Sequence, residues 1–201
     1  MLKMGLTGGI ASGKSAVAAL LRDMGFFVME ADPVAHKLIE PGQPAHDEVL
    51  REFGTAVAGA NGKIDRGKLG SIVFADAEKL ARLNAILHPR VKELVLRQFK
   101  EWESSGVRDA AFVEAALLVE ASFTQYLDGL VVAWCNPEQQ LERLRDRGMS
   151  ETEARRRLAA QLPVEEKLKH ATETIDCSGS LEETRSQVQA LAARIRKRTS
   201  S

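Results

Sequence analysis

The segment after the first predicted strand has the spacing of a phosphate-binding loop, or P-loop. It reads Gly8-Gly9-Ile10-Ala11-Ser12-Gly13-Lys14-Ser15, which is glycine, four residues, glycine, lysine and serine. Glycine at both ends lets the backbone N–H groups form a nest for anions, and Lys14 can reach the β- and γ-phosphates of a nucleoside triphosphate. The Ser15 hydroxyl can ligate Mg²⁺. The pattern therefore predicts a site for a nucleoside triphosphate with magnesium.

The segments around this loop supply the strand and the helix that such a site needs. Residues 1–7 are mostly apolar, and residues 16–24 combine helix formers with an apolar stripe. The N-terminal dipole of that helix would lie beneath the phosphates. The residues predicted to bind the triphosphate are Gly9, Ile10, Ala11, Ser12, Gly13, Lys14, Ser15 and Ala16.

An aspartate follows the second predicted strand. Residues 25–30 read as a buried strand, and Asp32-Pro33 leads into a helix over residues 34–39 because proline suits a first helical turn. Since the carboxyl ends of parallel strands line the ligand crevice, Asp32 is expected at the edge of the sheet that carries the P-loop. There it could orient an acceptor hydroxyl and take its proton, with Glu114 as the next candidate base. The alternative is that Asp32 only caps the helix.

A long helical stretch separates the second strand from the third. Residues 45–103 contain helical pieces with short breaks, and His88-Pro89 is expected to end one helix and begin another. An excursion of this length between strands is where a substrate-binding region would lie. The third strand is predicted over residues 109–114, a fourth over 129–135 and a last over 172–176.

Residues 138–162 carry six arginines, and Gly148-Met149-Ser150 breaks them into two predicted helices. Arginine binds phosphoryl oxygens with a fixed fork of donors, so this segment is expected to be a mobile lid over the P-loop. Because acidic residues are interleaved with the arginines, a solvated helix pair held by salt bridges is the alternative.

Composition narrows the class of protein further. The chain has 201 residues and a formal net charge of zero, so no global field recruits nucleic acid or a membrane surface. No apolar run has the length of a membrane span. Cys135 and Cys177 lack metal-ligand spacing and are expected to be reduced thiols of a cytoplasmic protein. A monomer or a weak homo-oligomer is expected.

A GTP-dependent switch is the first rival from another class. Its base-reading Asn/Thr-Lys-x-Asp element does not occur in the sequence. An Asp-x-x-Gly pattern occurs at residues 176–179, where a switch loop would be misplaced. A small phosphotransferase accounts better for the P-loop, the aspartate, the helical region and the arginine-rich segment.

Several segments, taken in order, resemble dephospho-coenzyme A kinases. They are residues 5–10, 14–15, 30–32, 61–66, 83–89, 113–114 and 117–120, together with Gln140, Arg143, Arg147 and Gln161. The likeness covers nearly the whole chain. At Ala11 the family usually has glycine, and at Cys177, near the adenine site, it often has asparagine, so base recognition stays open.

The predicted fold is an α/β P-loop kinase, a three-layer sandwich with a five-stranded parallel sheet. Its core is expected over residues 1–34, 107–137 and 171–198. A helical acceptor-binding region would occupy about residues 35–106, and the arginine-rich lid about residues 138–163.

The resemblance implies that ATP phosphorylates the 3′-hydroxyl of dephospho-coenzyme A, which is the last step in making coenzyme A. It assigns catalysis to Lys14, Asp32 and Arg143, the lid to Arg143 and Arg147, and Mg²⁺ binding to Ser15. Acceptor binding is assigned to Thr7, Asp32, Arg66 and His88, although His88 could equally be a packing residue at a helix start. The alternatives are a nucleoside or nucleoside-monophosphate kinase, and a nucleotide-binding regulator without turnover.

Overall fold

The computed structural model describes residues 1–200, except for the side chain of Asn61. Five strands form one parallel sheet in the order β2-β3-β1-β4-β5. They are β1 (Leu2–Thr7), β2 (Phe27–Glu30), β3 (Ala110–Glu114), β4 (Gly129–Trp134) and β5 (Glu173–Asp176). The predicted five-stranded parallel sheet is confirmed.

Helices connect the strands. The α-helices are α1 (Lys14–Asp23), α2 (Ala31–Leu38), α3 (His46–Phe53), α4 (Arg66–Val73), α5 (Ala77–Ser104), α6 (Pro137–Asp146), α7 (Glu151–Ala159), α8 (Val164–Leu168) and α9 (Leu181–Thr199). Short 3₁₀ turns lie at Gly54–Val57, Ala60–Gly62 and Phe123–Tyr126.

The chain divides into two compact units. Unit 1 comprises Met1–Glu30 and Val95–Ser201, and it contains the sheet. Its core is apolar because β3 and β4 are continuous apolar runs whose side chains are buried on both faces. On one face of the sheet, α1 and α9 pack through Val17, Leu21 and Leu191.

Unit 2, Ala31–Leu94, has a core of its own. Helices α3, α4 and α5 contribute apolar side chains to it, among them Val49, Leu69 and Ile86. Helix α4 begins after Asp65, whose Oδ1 accepts the backbone N–H of Lys68 as an N-cap.

Strand β2 departs from the predicted buried strand. It is an edge strand of the sheet, and its residue Phe27 is 47% exposed. The ring of Phe27 packs against Trp102, with the ring centroids 5.6 Å apart. An apolar run cannot distinguish an edge strand from a central one, because only the sheet order decides burial.

Two helix boundaries also differ from the prediction. Helix α2 begins at Ala31, so Asp32 lies in its first turn and is not its N-cap. The break expected at His88-Pro89 is wrong, because α5 continues through Pro89. Apolar residues on both sides of the proline, Ile86 and Val91, pack in the same core. Burial of that shared face outweighs the cost of proline inside a helix.

Candidate active site

The P-loop joins β1 to α1 with a tightly packed backbone. A Cβ atom at Gly8 would meet the carbonyl oxygen of Ala133, and one at Gly13 would lie 2.6 Å from the Cβ of Cys177. Ala11 adopts a left-handed φ of 58°, which glycine takes without strain, at the position where the resemblance assigns glycine. The loop therefore packs too closely to accept larger side chains at Gly8 and Gly13.

Lys14 and Ser15, the first two residues of α1, share one carboxylate. The Nζ atom of Lys14 lies 3.8 Å from Oε1 of Glu114, and the Ser15 hydroxyl donates to the same oxygen at 3.2 Å. Glu114 is buried at the end of β3. The sequence suggested Glu114 only as a substitute base, whereas its contacts join it to the groups predicted to meet phosphate and metal.

Arg143 of α6 reaches the P-loop. Its Nη1 donates to the carbonyl oxygen of Ala11 at 3.2 Å, and its Nη2 donates to the carbonyl oxygen of Cys177 at 2.7 Å. Beside it lies a cavity of about 280 Å³. The cavity is lined by Ala11, Ser12, Gly13, Lys14, Ser15, Ala16, Arg143, Arg147, Cys177, Gly179, Leu181 and Thr184. It therefore brings together the lysine, serine and arginines predicted to bind phosphate.

Helix α7 holds its arginines differently. Arg155 pairs with Glu151 at 2.7 Å and Arg157 pairs with Glu153 at 2.7 Å, each one turn earlier on the same helix. The salt-bridged alternative thus describes α7, whereas Arg143 of α6 contacts the P-loop.

Two glutamines hold the P-loop from the predicted lid. Gln140 of α6 donates from Nε2 to the carbonyl oxygen of Ile10 at 2.8 Å, and Oε1 of Gln161 accepts the Ile10 N–H at 2.9 Å. The sequence offered no role for either glutamine, and their place in the resemblance was the only signal. Together they satisfy both backbone groups of one loop residue.

The segment between β5 and α9 also lines the cavity, through Cys177 and Gly179. Cys177 and Cys135 are both buried free thiols, as predicted. Burial, with a smaller effect from the neighbouring Cys135, raises the pKa of Cys177 to about 11. Both effects keep the Cys177 thiol protonated at neutral pH, so it contributes a small neutral wall. Leu181, the first residue of α9, is 61% exposed and adds apolar surface to the cavity.

Thr7 is fully buried at the end of β1. Its hydroxyl donates to the carbonyl oxygen of Ala116 at 3.2 Å, in the segment that follows β3. This residue, predicted to bind the acceptor, is therefore tied to the backbone of unit 1.

In unit 2, the charged residues predicted to bind the acceptor gather around a histidine that the sequence analysis missed. Asp32 and His36 lie one turn apart on α2, and Arg66 is the first residue of α4. Partial burial and the positive charge of Arg66 lower the pKa of His36, while Asp32 opposes them. The i, i+4 spacing from Asp32 was the signal that could have found His36. His88 lies inside α5 and is half-buried. It is therefore not at a helix start, where the packing alternative had placed it.

Two kinds of feature are absent from residues 1–200, the part of the chain that the structure describes. Within that part of the chain, no group of three or more His, Cys, Asp or Glu side chains is arranged to hold a metal ion. In the same range, no helix combines the length and apolarity needed to cross a membrane.

Comparison with known proteins identifies relatives over almost the full chain. A family model described as dephospho-CoA kinase matches residues 2–183. A dephospho-CoA kinase of Carboxydothermus hydrogenoformans is 46% identical over 186 residues, covering 92% of this chain and 90% of that protein. A solved structure from Thermus thermophilus has a TM-score of 0.79 at 36% identity, with 96% and 97% of the two chains covered. A dephospho-CoA kinase from Campylobacter jejuni has a TM-score of 0.70 at 28% identity, with 97% of each chain covered.

Proposed function

The chain belongs to the dephospho-CoA kinase family, and we propose that it transfers the γ-phosphoryl group of ATP to the 3′-hydroxyl of dephospho-coenzyme A. The match over residues 2–183 carries this proposal, because it includes all of unit 2 and every residue that lines the phosphate cavity except Thr184. The products are ADP and coenzyme A.

Lys14 and the P-loop backbone are assigned to the phosphates of ATP. The Lys14 ammonium lies on the cavity wall, where it can offset the charge of the β- and γ-phosphates. Glu114 faces both Lys14 and Ser15, and holds these two side chains at the start of α1.

The residues around Ser15 fit a magnesium ion held mainly by ATP oxygens. The Ser15 hydroxyl proton points to Glu114, which leaves the hydroxyl oxygen lone pairs for a cation. Mg²⁺ takes oxygen ligands, and few of them come from protein when phosphates supply the rest. When bound there, the ion would neutralise phosphate charge.

Arg143 is assigned to the phosphoryl group in transit. Its guanidinium already lies on the cavity wall with two backbone carbonyls as partners, so one side of the planar fork is fixed. The remaining N–H donors are available to oxygens whose charge grows in the transition state. Arg147 of the same wall adds positive charge.

Asp32 is assigned as the general base in unit 2. The acceptor 3′-oxygen bonds to the γ-phosphorus as the bond from that phosphorus to the β,γ-bridging oxygen breaks, and the hydroxyl proton passes to the Asp32 carboxylate. Arg66 and His88 are assigned to acceptor binding. Thr7 is assigned to holding the backbone before the P-loop, through the hydrogen bond of its hydroxyl to Ala116.

A comparison of acceptors tests the proposal. The protein is incubated with Mg-ATP and, separately, dephospho-coenzyme A, AMP, CMP or adenosine, and both ADP release and the mass of the phosphorylated product are measured. We expect dephospho-coenzyme A to give the highest kcat/KM by about 100-fold or more, since a site built to hydrogen-bond one substrate discriminates against analogues that lack its polar groups. Equal turnover of a monophosphate would support the monophosphate kinase alternative. ATP binding without phosphorylation of any acceptor would support the regulator.

A further inference from the structure

A buried ion pair lies outside the phosphate cavity and has no part in the chemistry described above. Lys167 of α8 is fully buried, and its Nζ donates to Oε1 of Glu120 at 2.7 Å and to the carbonyl oxygen of Ala116 at 2.6 Å. Because no part of Lys167 is exposed, it cannot touch a substrate. Any contribution to the reaction must pass through the residues that it holds.

Those residues include the C-terminal end of the lid segment. Oε1 of Glu120 accepts the backbone N–H of Leu162 at 3.0 Å. Leu162 follows Gln161, whose side chain accepts the N–H of Ile10 in the P-loop. The residue that Glu120 holds, Leu162, is therefore the direct neighbour of the residue that contacts the phosphate-binding loop, Gln161.

The other partner of Lys167 leads to the sheet. The carbonyl oxygen of Ala116 accepts both the Lys167 ammonium and the hydroxyl of Thr7 at the end of β1. The P-loop begins directly after Thr7. Lys167 and Glu120 therefore connect the strand before the P-loop with the end of the lid segment.

A gain in the stability of the folded protein does not account well for this buried ion pair. Burial lowers the pKa of Lys167, as does the nearby positive charge of Lys14, while Glu120 opposes both. Within residues 1–200, Oε2 of Glu120 is buried without a hydrogen-bond partner. Apolar side chains of similar volume often stabilise a protein as well as a buried ion pair does, so its use is expected to lie in fixing one geometry.

We propose that Lys167 and Glu120 are positioning residues that anchor the C-terminal end of the lid segment, residues 138–163, relative to the P-loop. The anchor holds the Leu162 N–H and so keeps Gln161 on Ile10, which fixes the path along which α6 presents Arg143. This inference rests on the proposed function, since the lid acts on ATP.

The first test compares Lys167→Met with Lys169→Met. Lys169 is an exposed lysine two residues later, paired with Glu166 at 2.7 Å, and serves as the matched control. We expect Lys167→Met to lower kcat about 10- to 100-fold with a smaller change in the KM for ATP, because misplaced catalytic groups cost rate more than binding. Lys169→Met should resemble the parent. Equal kcat values in the two variants would overturn the proposal.

Double variants separate anchoring from folding, because Lys167→Met leaves a buried carboxylate without its cation. Lys167→Met/Glu120→Gln keeps a side-chain oxygen for the Leu162 N–H, whereas Lys167→Met/Glu120→Leu removes it. Both remove the buried charges, so their melting temperatures should be similar and above that of the single variant. We expect the Gln variant to recover most of kcat and the Leu variant to stay low. Equal kcat in the two double variants would show a purely structural pair and overturn the proposal.

Cleavage by an arginine-specific protease within residues 145–157 gives a readout that does not depend on turnover. The proposal predicts faster cleavage in Lys167→Met/Glu120→Leu than in Lys167→Met/Glu120→Gln, with and without ATP. Equal cleavage rates would contradict the anchor even if the parent phosphorylates dephospho-coenzyme A. A parent that binds ATP without phosphorylating any acceptor, together with unequal cleavage, would reject the proposed function and keep the anchor.

Discussion

The proposed phosphate region of unit 1 and the proposed acceptor region of unit 2 hold their charged side chains in different ways. Around the cavity of unit 1, Lys14, Ser15 and Arg143 are already held by hydrogen bonds or ion contacts to buried groups. In unit 2, Asp32 and Arg66 are exposed, and both act on His36 through their charge. The phosphate region is therefore arranged before substrate binds, whereas we expect the acceptor to fix the side chains of the second region. Preorganisation of the first kind supports transition-state stabilisation.

The largest effect on kcat is expected from Arg143→Ala, which removes a hydrogen-bond donor from the phosphate region of unit 1. We expect kcat to fall by about 10³-fold or more, as for arginines that stabilise the transferring phosphoryl group elsewhere. ATP affinity should change much less, because that contact strengthens in the transition state. The matched control is Arg155→Ala, whose side chain pairs with Glu151 on its own helix. Similar kcat values for both variants would remove the distinction between α6 and α7.

Asp32→Asn addresses the acceptor region. The variant keeps size but cannot take a proton, so kcat should fall by roughly 10² to 10⁴-fold. Asp32 lies exposed in the first turn of α2, where loss of a carboxylate costs only about 0.3–1 kcal/mol of stability. Melting temperature and kcat are measured on one preparation. A marked fall in melting temperature with unchanged kcat would assign Asp32 to helix stability instead.

Lys14→Ala tests the phosphate region of unit 1 by removing a cation from the cavity wall. Activity should fall by about 100-fold or more, the usual loss for one preorganised electrostatic contact. The fold should persist, since the Lys14 side chain lines the cavity and lies outside the apolar core. Near-parent activity in a folded variant would refute the P-loop interpretation.

The smallest effect concerns stability in unit 2 and its dependence on pH. Nδ1 of His46 lies 2.8 Å from a carboxylate oxygen of Asp47, and Nε2 lies 2.8 Å from the carbonyl oxygen of Gly62. Both partners are acceptors, so the doubly protonated ring satisfies both, and the Asp47 contact above all raises the pKa of His46 from 6.5. The resulting stabilisation is complete below pH 6.5 and is lost as pH rises through the higher pKa of the folded state.

His46→Gln should therefore lower the melting temperature more at about pH 6 than at about pH 9, while kcat changes little. His170→Gln, at an exposed histidine, is the control. A melting-temperature difference that is the same at both pH values would show that protonation of His46 does not contribute.

Lys14 and Ser15 could be predicted to line one cavity, because a P-loop places its groups within a few residues of one another. Strands β3 and β4 were also predictable, since strands buried on both faces are continuous apolar runs. The contacts of Gln140 and Gln161 with Ile10 span more than a hundred residues, and spacing alone cannot reveal such pairs.

Errors arose where packing overrides local preference. Pro89 is a strong local signal for a helix end, yet α5 passes through it because residues on both sides share one core. The burial of β2 depended on its place in the sheet, which its own residues do not encode. Lys167 gave no signal at all, because a lysine in a charged helix is ordinarily exposed.

The proposed roles of the two units, ATP binding in unit 1 and acceptor binding in unit 2, are tested most directly by titration. A non-hydrolysable ATP analogue with Mg²⁺ is titrated into the parent, Lys14→Ala and Asp32→Asn. Calorimetry gives the dissociation constant of each. We predict that Asp32→Asn binds the analogue as the parent does, while Lys14→Ala binds it about 10-fold or more weakly because a phosphate contact is lost. Weakening of the same size in both variants would contradict the assignment of ATP to unit 1 and of the acceptor hydroxyl to Asp32.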